Sequence, residues 1–262
     1  MNRIKIHNGG LILLLGVLLF SNCTRKSQLI YMQEIAVNDT SEVFDNKPLS
    51  YQIQAQDILY IKVFTVDPEV SELFNVGSEQ SQQMYQNETS LFINGYVVND
   101  SGYIDLPVIG DVKVAGLTVT EAKEEVEKLS IKYLKNASIT LKLISFKFTV
   151  IGEVNKPGVF RNFNNQLTVL EAIGMAGDIS PYGNRKEVLV VRPTRAGTIT
   201  YRLDLTDKNI LASPAFFLLP NDLVYVEPIR SKIFELNLPT ISLALSSVST
   251  IILILNYVRL NN

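Results

Sequence analysis

The side chains able to do acid–base chemistry beyond the N-terminus reduce to carboxylates. Asp57 and Asp222 each stand directly before an apolar run, and Glu153 follows Ile151-Gly152. Paired carboxylates can hydrolyse a glycoside without any other group. The turn context argues for a different job, because an Asp at a turn bonds nearby backbone N–H groups. We therefore expect Asp57 and Asp222 to stabilise turns, and Glu153 to be solvated or turn-forming. The only His is His7 and the only Cys is Cys23, both in or beside an N-terminal leader. The rest of the chain then has no His general base, no Ser-His-Asp triad, no His metal site and no thiol. Trp is absent, which removes the commonest strong stacking platform for a sugar ring. The expectation is no catalytic residue, no metal and no cofactor. With a formal charge of −2 and no basic run after the leader, we expect no nucleic-acid partner either.

The leader itself is an address. Arg3 and Lys5 precede Leu11–Phe20, an apolar run too short to span a bilayer but suited to a signal core. Phe20-Ser21-Asn22-Cys23 follows and resembles a lipobox, so Cys23 is the expected lipid attachment. Removing residues 1–22 leaves 22 basic and 26 acidic residues, a formal −4. Acyl chains add about 0.8 kcal/mol per buried methylene, and more than one chain gives stable anchoring. Residues 23–48 have no clear period and read as a tether.

Two small α/β units are expected next. In 49–146, Tyr51, Ile53 and Ile58–Phe64 read as strands, 67–90 as a long polar loop, and Phe92–Val98 as a further strand. Short strands punctuated by turn residues Gly102, Pro107 and Gly110 lead to Thr118-x-x-Glu121, a capping box. Val119, Ala122, Val126, Leu129 and Tyr133 then mark one helix face, and Ile139, Leu141 and Leu143 alternate as a strand. In 147–230, Gly152 ends a strand and Lys156-Pro157-Gly158 is a turn, with Gly158 taking the strained position. A second capping box, Thr168-x-x-Glu171, opens a helix that Gly177 ends. Val188–Val191, Tyr201 to Leu205 and Leu223–Val226 complete the strands.

The run Gly102-Tyr-Ile-Asp-Leu-Pro107-Val-Ile-Gly110-Asp-Val-Lys-Val-Ala-Gly-Leu-Thr118, with Tyr51-x-Ile53-x-x-x-Asp57, resembles the polysaccharide export domain. Ile151-Gly-Glu-Val-Asn-Lys-Pro157-Gly158, Leu167-Thr-Val-Leu-Glu-Ala and Leu219-Pro-Asn-Asp222-Leu resemble the SLBB (soluble ligand-binding β-grasp) domain. Where those patterns usually carry Gly, this chain has Gln56, Asp178 and Asn221. The chain is thus identified as a member of the Wza-type polysaccharide export family.

From Leu236 to Val258 the sequence carries no charge. As a helix it would run roughly 35 Å, against a bilayer core of about 30 Å. Ser242, Ser246, Ser249, Thr250 and Asn256 share a stripe about 120° wide at helical spacing. Either the hydroxyls bond their own helix carbonyls in a simple anchor, or the stripe lines a pore. The resemblance favours the pore.

The expectation is therefore an α+β protein of two small periplasmic α/β domains with a C-terminal transmembrane helix over 231–262. The resemblance implies an outer-membrane lipoprotein in a homo-oligomeric ring, an octamer being the size it suggests. It also implies passive conduction of a capsular or extracellular polysaccharide and an inner-membrane polysaccharide co-polymerase as partner. The alternative is a lipid-anchored periplasmic scaffold that binds a glycan or partner and forms no pore.

Overall fold

The computed structural model describes residues 29–33, 43–66, 68–75, 94–134, 137–194 and 196–261. They form an α+β fold around two hydrophobic cores.

The first core is built on β1 (Ile58–Phe64), which lies between β2 (Tyr96–Val97) and β5 (Ser138–Leu143) in an antiparallel sheet. Strand period two puts Leu59, Ile61 and Val63 on the buried face, opposite Leu143, Leu141 and Ile139. The hairpin of β3 (Tyr103–Leu106) and β4 (Gly110–Lys113) adds Ile104, Leu106 and Val112 to this core. At its tip the Ile109 N–H donates to Pro107 O at 2.8 Å across Val108, whose φ is +67°. That is a tight γ-turn of the rare kind. Helix α2 (Val119–Ser130) buries Ala122 and Val126 against the sheet.

The second core sits on a five-stranded sheet. Its strands are β6 (Lys147–Gly152), β7 (Gly158–Arg161), β8 (Gly183–Thr194), β9 (Gly197–Leu203) and β10 (Leu223–Pro228), in the order β7-β6-β10-β8-β9. Central β10 runs parallel to β6 and antiparallel to β8. Helix α3 (Val169–Met175) buries Val169, Ala172 and Ile173 on the sheet. Both helices carry complete capping boxes, Thr118 with Glu121 and Thr168 with Glu171. Leu143 packs against both cores, joining the two units. Beyond β10 the chain continues as α4 (Arg230–Asn261).

Several sequence expectations need correcting. Tyr51 and Ile53 are not in a strand, although Ile53 exchanges backbone bonds with Leu117 and Gly116 at 2.9 Å each. The stretch expected as a polar loop opens with helix α1 (Pro68–Leu73), and residues 76–93 lie outside those described. Gly158 does not carry the left-handed backbone; Gly152 does, at φ +91°. Tyr133 lies past the end of α2 and is 53% exposed, so it leaves the helix face assigned to it. The expected tether is not featureless, because residues 31–33 pair with the second domain. Among the described residues no helix is long and apolar enough to cross a membrane. Hydroxyl-bearing residues dilute the apolar run of α4, and side chains 233–238 and Asn256 lie outside those described.

Candidate functional site

Asp57 and Asp222 are 4% and 1% exposed, and each holds a turn. Asp57 Oδ2 accepts from the Gln54 N–H and the Tyr51 hydroxyl, both at 2.8 Å, while Oδ1 accepts from Ser145 at 3.0 Å. Ser145 lies in the connection between domains, so this carboxylate ties the first strand to the linker. Burial pushes the Asp57 carboxyl above its ordinary range, and the bonds from Gln54, Tyr51 and Ser145 pull it partly back. A raised folded value means the buried carboxylate disfavours the fold. Its contribution to stability is therefore greatest below the ordinary value of 3.8 and declines as pH rises through the raised one. Thermal melts from acid to neutral pH should show wild type losing stability relative to Asp57→Asn as pH rises. Parallel curves for the two proteins would refute this reading of Asp57.

Asp222 is paired with Arg192, which is 4% exposed and received no role from the sequence. Arg192 Nε and Nη2 donate to the carboxylate at 3.1 and 2.8 Å, a fork-to-fork pair. Arg192 also donates to Pro214 O and Phe217 O, and Asp222 Oδ2 accepts from the Leu219 N–H at 2.8 Å. Burial raises the Asp222 carboxyl, opposed by the guanidinium and the Leu219 N–H. Neither aspartate presents a free carboxylate to a substrate. Glu153 is not free either: it accepts from Ser180 Oγ at 3.0 Å and from Lys232, in the first turn of α4. The Lys232 ammonium holds the Glu153 carboxyl below its ordinary range.

These bonds shape an interdomain groove of about 440 Å³. One wall holds Tyr51 and Thr120, the other Gln166, Phe217 and Leu219, with Phe146 at the base of the linker. Asp57 positions Tyr51, and the Arg192–Asp222 pair positions Phe217 and Leu219. The structure thus brings both aspartates to bear on one groove, as supports of its walls. No lining residue carries a charge, and the side chains of Asn164, Asn165 and Gln166 offer carboxamides at its edge. Among the described residues there is no group of three or more His, Cys, Asp or Glu able to hold a metal.

Residues 45–144 match the family described as "Polysaccharide biosynthesis/export protein", and residues 146–226 match the SLBB domain. The chain belongs to the polysaccharide export family. It is similar to the EPS I polysaccharide export outer membrane protein EpsA of Ralstonia solanacearum, 29% identical over 197 residues, covering 72% of this chain and 51% of the relative. EpsA of Ralstonia nicotianae is also 29% identical, over 59% of this chain and 42% of the relative. The chain thus spans about half the length of the curated relatives it matches.

The remaining predicted residues of this export-family chain are scattered. Gly102, Gly110 and Gly177 carry φ of +84°, +82° and +74°, at the turn into β3, the start of β4 and the end of α3. Pro157 lies in the turn between β6 and β7. Cys23 lies outside the described residues. On α4, Ser242 donates to Pro239 O, Ser246 to Leu243 O, Ser249 to Leu245 O and Thr250 to Ser246 O. These residues share the helix with a broad set of exposed apolar side chains, among them Leu243, Leu253 and Leu255 at 64–71% exposure.

Proposed function

We propose that the chain is an outer-membrane lipoprotein, acylated at Cys23, that assembles into a homo-oligomeric conduit for capsular or extracellular polysaccharide. Family membership and the names of its relatives support an export role. The carrying observation is α4, whose described apolar side chains are exposed, with none packed into either core of the described residues. A helix apolar on nearly all sides needs lipid or other protein around it. The complete uncharged stretch, Leu236 to Val258, is the proposed membrane span. Its serines and Thr250 bond their own helix carbonyls, which lowers their cost in an apolar setting. Each hydroxyl keeps lone pairs that can face water in a ring of such helices, with Ser242, Ser246, Ser249, Thr250 and Asn256 as the lining. The buried, fully paired aspartates support transport rather than catalysis. An inner-membrane polysaccharide co-polymerase is the proposed partner.

A second reading is a lipid-anchored scaffold that binds a glycan or partner and forms no pore; the uncharged groove favours it. Complementation of a deletion strain separates the two. We expect the full chain to restore surface polymer and a chain stopped after Lys232, though stable and lipidated, to give none. Full restoration by the truncated chain would replace the conduit with the scaffold.

A further inference from the structure

Arg185, near the start of β8, is 7% exposed, yet among the described residues its Nε and Nη1 have no hydrogen-bond partner. A buried guanidinium with two unpaired nitrogens is costly unless something compensates its charge. Three groups do. Arg185 Nη2 donates to Ile179 O at 3.2 Å, Asp178 Oδ2 lies 4.0 Å away, and the ring of Tyr31 stacks on the guanidinium at 5.3 Å. Tyr31 comes from far upstream. Its hydroxyl donates to Asp178 Oδ1, and burial with that bond pushes its pKa up to about 12. The next two residues pair along the domain, Met32 N–H to Leu205 O at 3.0 Å and Gln33 N–H to Thr206 O at 2.6 Å. Asp178 itself sits at φ +71°, a backbone that suits Gly. This strained Asp places its carboxylate on the Tyr31 hydroxyl and beside Arg185.

We propose that residues 29–33 are a strap that fixes the SLBB domain at a set distance from the membrane, with Tyr31 as its positioning residue and Asp178 and Arg185 as its receptor. This rests on the reading of Cys23 as the lipid-bearing residue. Cys23 to Leu29 spans at most roughly 20 Å when extended, so a docked strap allows the domain no more reach than that. A loose tether of 23–48 would allow several times as much.

The test uses the full chain. In hydrogen exchange on the detergent-solubilised protein, the Met32 and Gln33 amides should be protected. Tyr31→Phe should lower that protection about tenfold, the loss of one hydrogen bond to a charged acceptor, with Val188–Val191 unchanged. Asp178→Gly should release the strap as well; it eases the backbone but takes a counter-charge from buried Arg185 and an acceptor from the Ile179 N–H, so unchanged protection of Val188–Val191 is what separates release from misfolding. In cells, six Gly-Ser residues inserted before Leu29 should reduce surface polymer severalfold, and the same insertion after Gln33 should not. Free exchange of Met32 and Gln33 in wild type would overturn the strap. Equal effects of the two insertions, or none, would overturn its role in setting distance. A wild-type control that yields no surface polymer would sink the export reading, and the exchange pattern would still decide on the strap.

Discussion

Arg192→Leu should cost the SLBB domain about 3–5 kcal/mol, because it strands the Asp222 carboxylate in the core without its counter-charge. The residue is 4% exposed and its partner 1%, so solvent cannot replace the lost bonds. Phe217 O and Pro214 O lose their donor as well. For a domain of this size the melting temperature should fall by more than about 15 °C. The double variant Arg192→Leu/Asp222→Asn should recover the part due to the stranded charge, while Phe217 O and Pro214 O stay without their donor. The carboxamide has no charge to bury and keeps an acceptor for the Leu219 N–H, which Asp222 holds at 2.8 Å. Replacing a buried ion pair whole is often close to neutral, whereas removing one partner is not. Thermal unfolding of the three proteins checks this. A double variant no better than Arg192→Leu would mean that the pair's worth lies in its geometry and not in charge balance.

Gly152→Ala should be comparably damaging for an unrelated reason. At φ +91° any side chain is strained, and a Cβ there would stand 2.1 Å from Val226 O and 2.9 Å from the Tyr225 ring. Val226 O accepts from the Glu153 N–H at 3.0 Å beside the β6–β10 ladder, so the clash falls on backbone that cannot yield cheaply. A cost of about 3 kcal/mol or more follows from backbone strain combined with disruption of the central ladder. Chemical denaturation should show it as a lower midpoint. Gly158→Ala is the control: its φ is ordinary and no atom lies within 4 Å of the added carbon, so that variant should be near neutral. Equal loss in both would show that Gly152 is not special.

The sequence is most informative where structure is local. Both capping boxes are made within four residues, so Thr118-x-x-Glu121 and Thr168-x-x-Glu171 announce their helices directly. The alternation of Leu59, Ile61 and Val63 likewise names the buried face of β1. Three departures from the motifs this chain resembles fall on left-handed backbone. Gln56, Asp178 and Asn221 stand where Gly is usual, and they hold φ of +70°, +71° and +68°. What escapes the sequence is what depends on distance along the chain. Arg192 meets Asp222 across 30 positions, and Tyr31 meets Asp178 across 147. Neither residue belongs to a motif, and an Arg in an apolar strand reads as an interruption until its acceptors are in place. The groove escapes for the same reason, since its walls come from both domains. The expectation for Gly158 fails because Pro-Gly is a sound turn signal whose strained position falls instead to Gly152, at the end of the preceding strand.

The place of β10 has a mechanical meaning. It is the middle strand of five, flanked on one side by β6 and on the other by β8, and it runs into α4 within two residues. The Lys232–Glu153 pair fastens the base of that helix to the end of β6. Tension applied through α4 along the strand axis would therefore load the hydrogen bonds on both sides of β10 in shear, all at once. An edge strand such as β7 or β9, pulled the same way, would be held by one ladder only. The fold has put its longest helix on the strand best able to bear a pull, so a force on α4 would be carried by the domain as a whole.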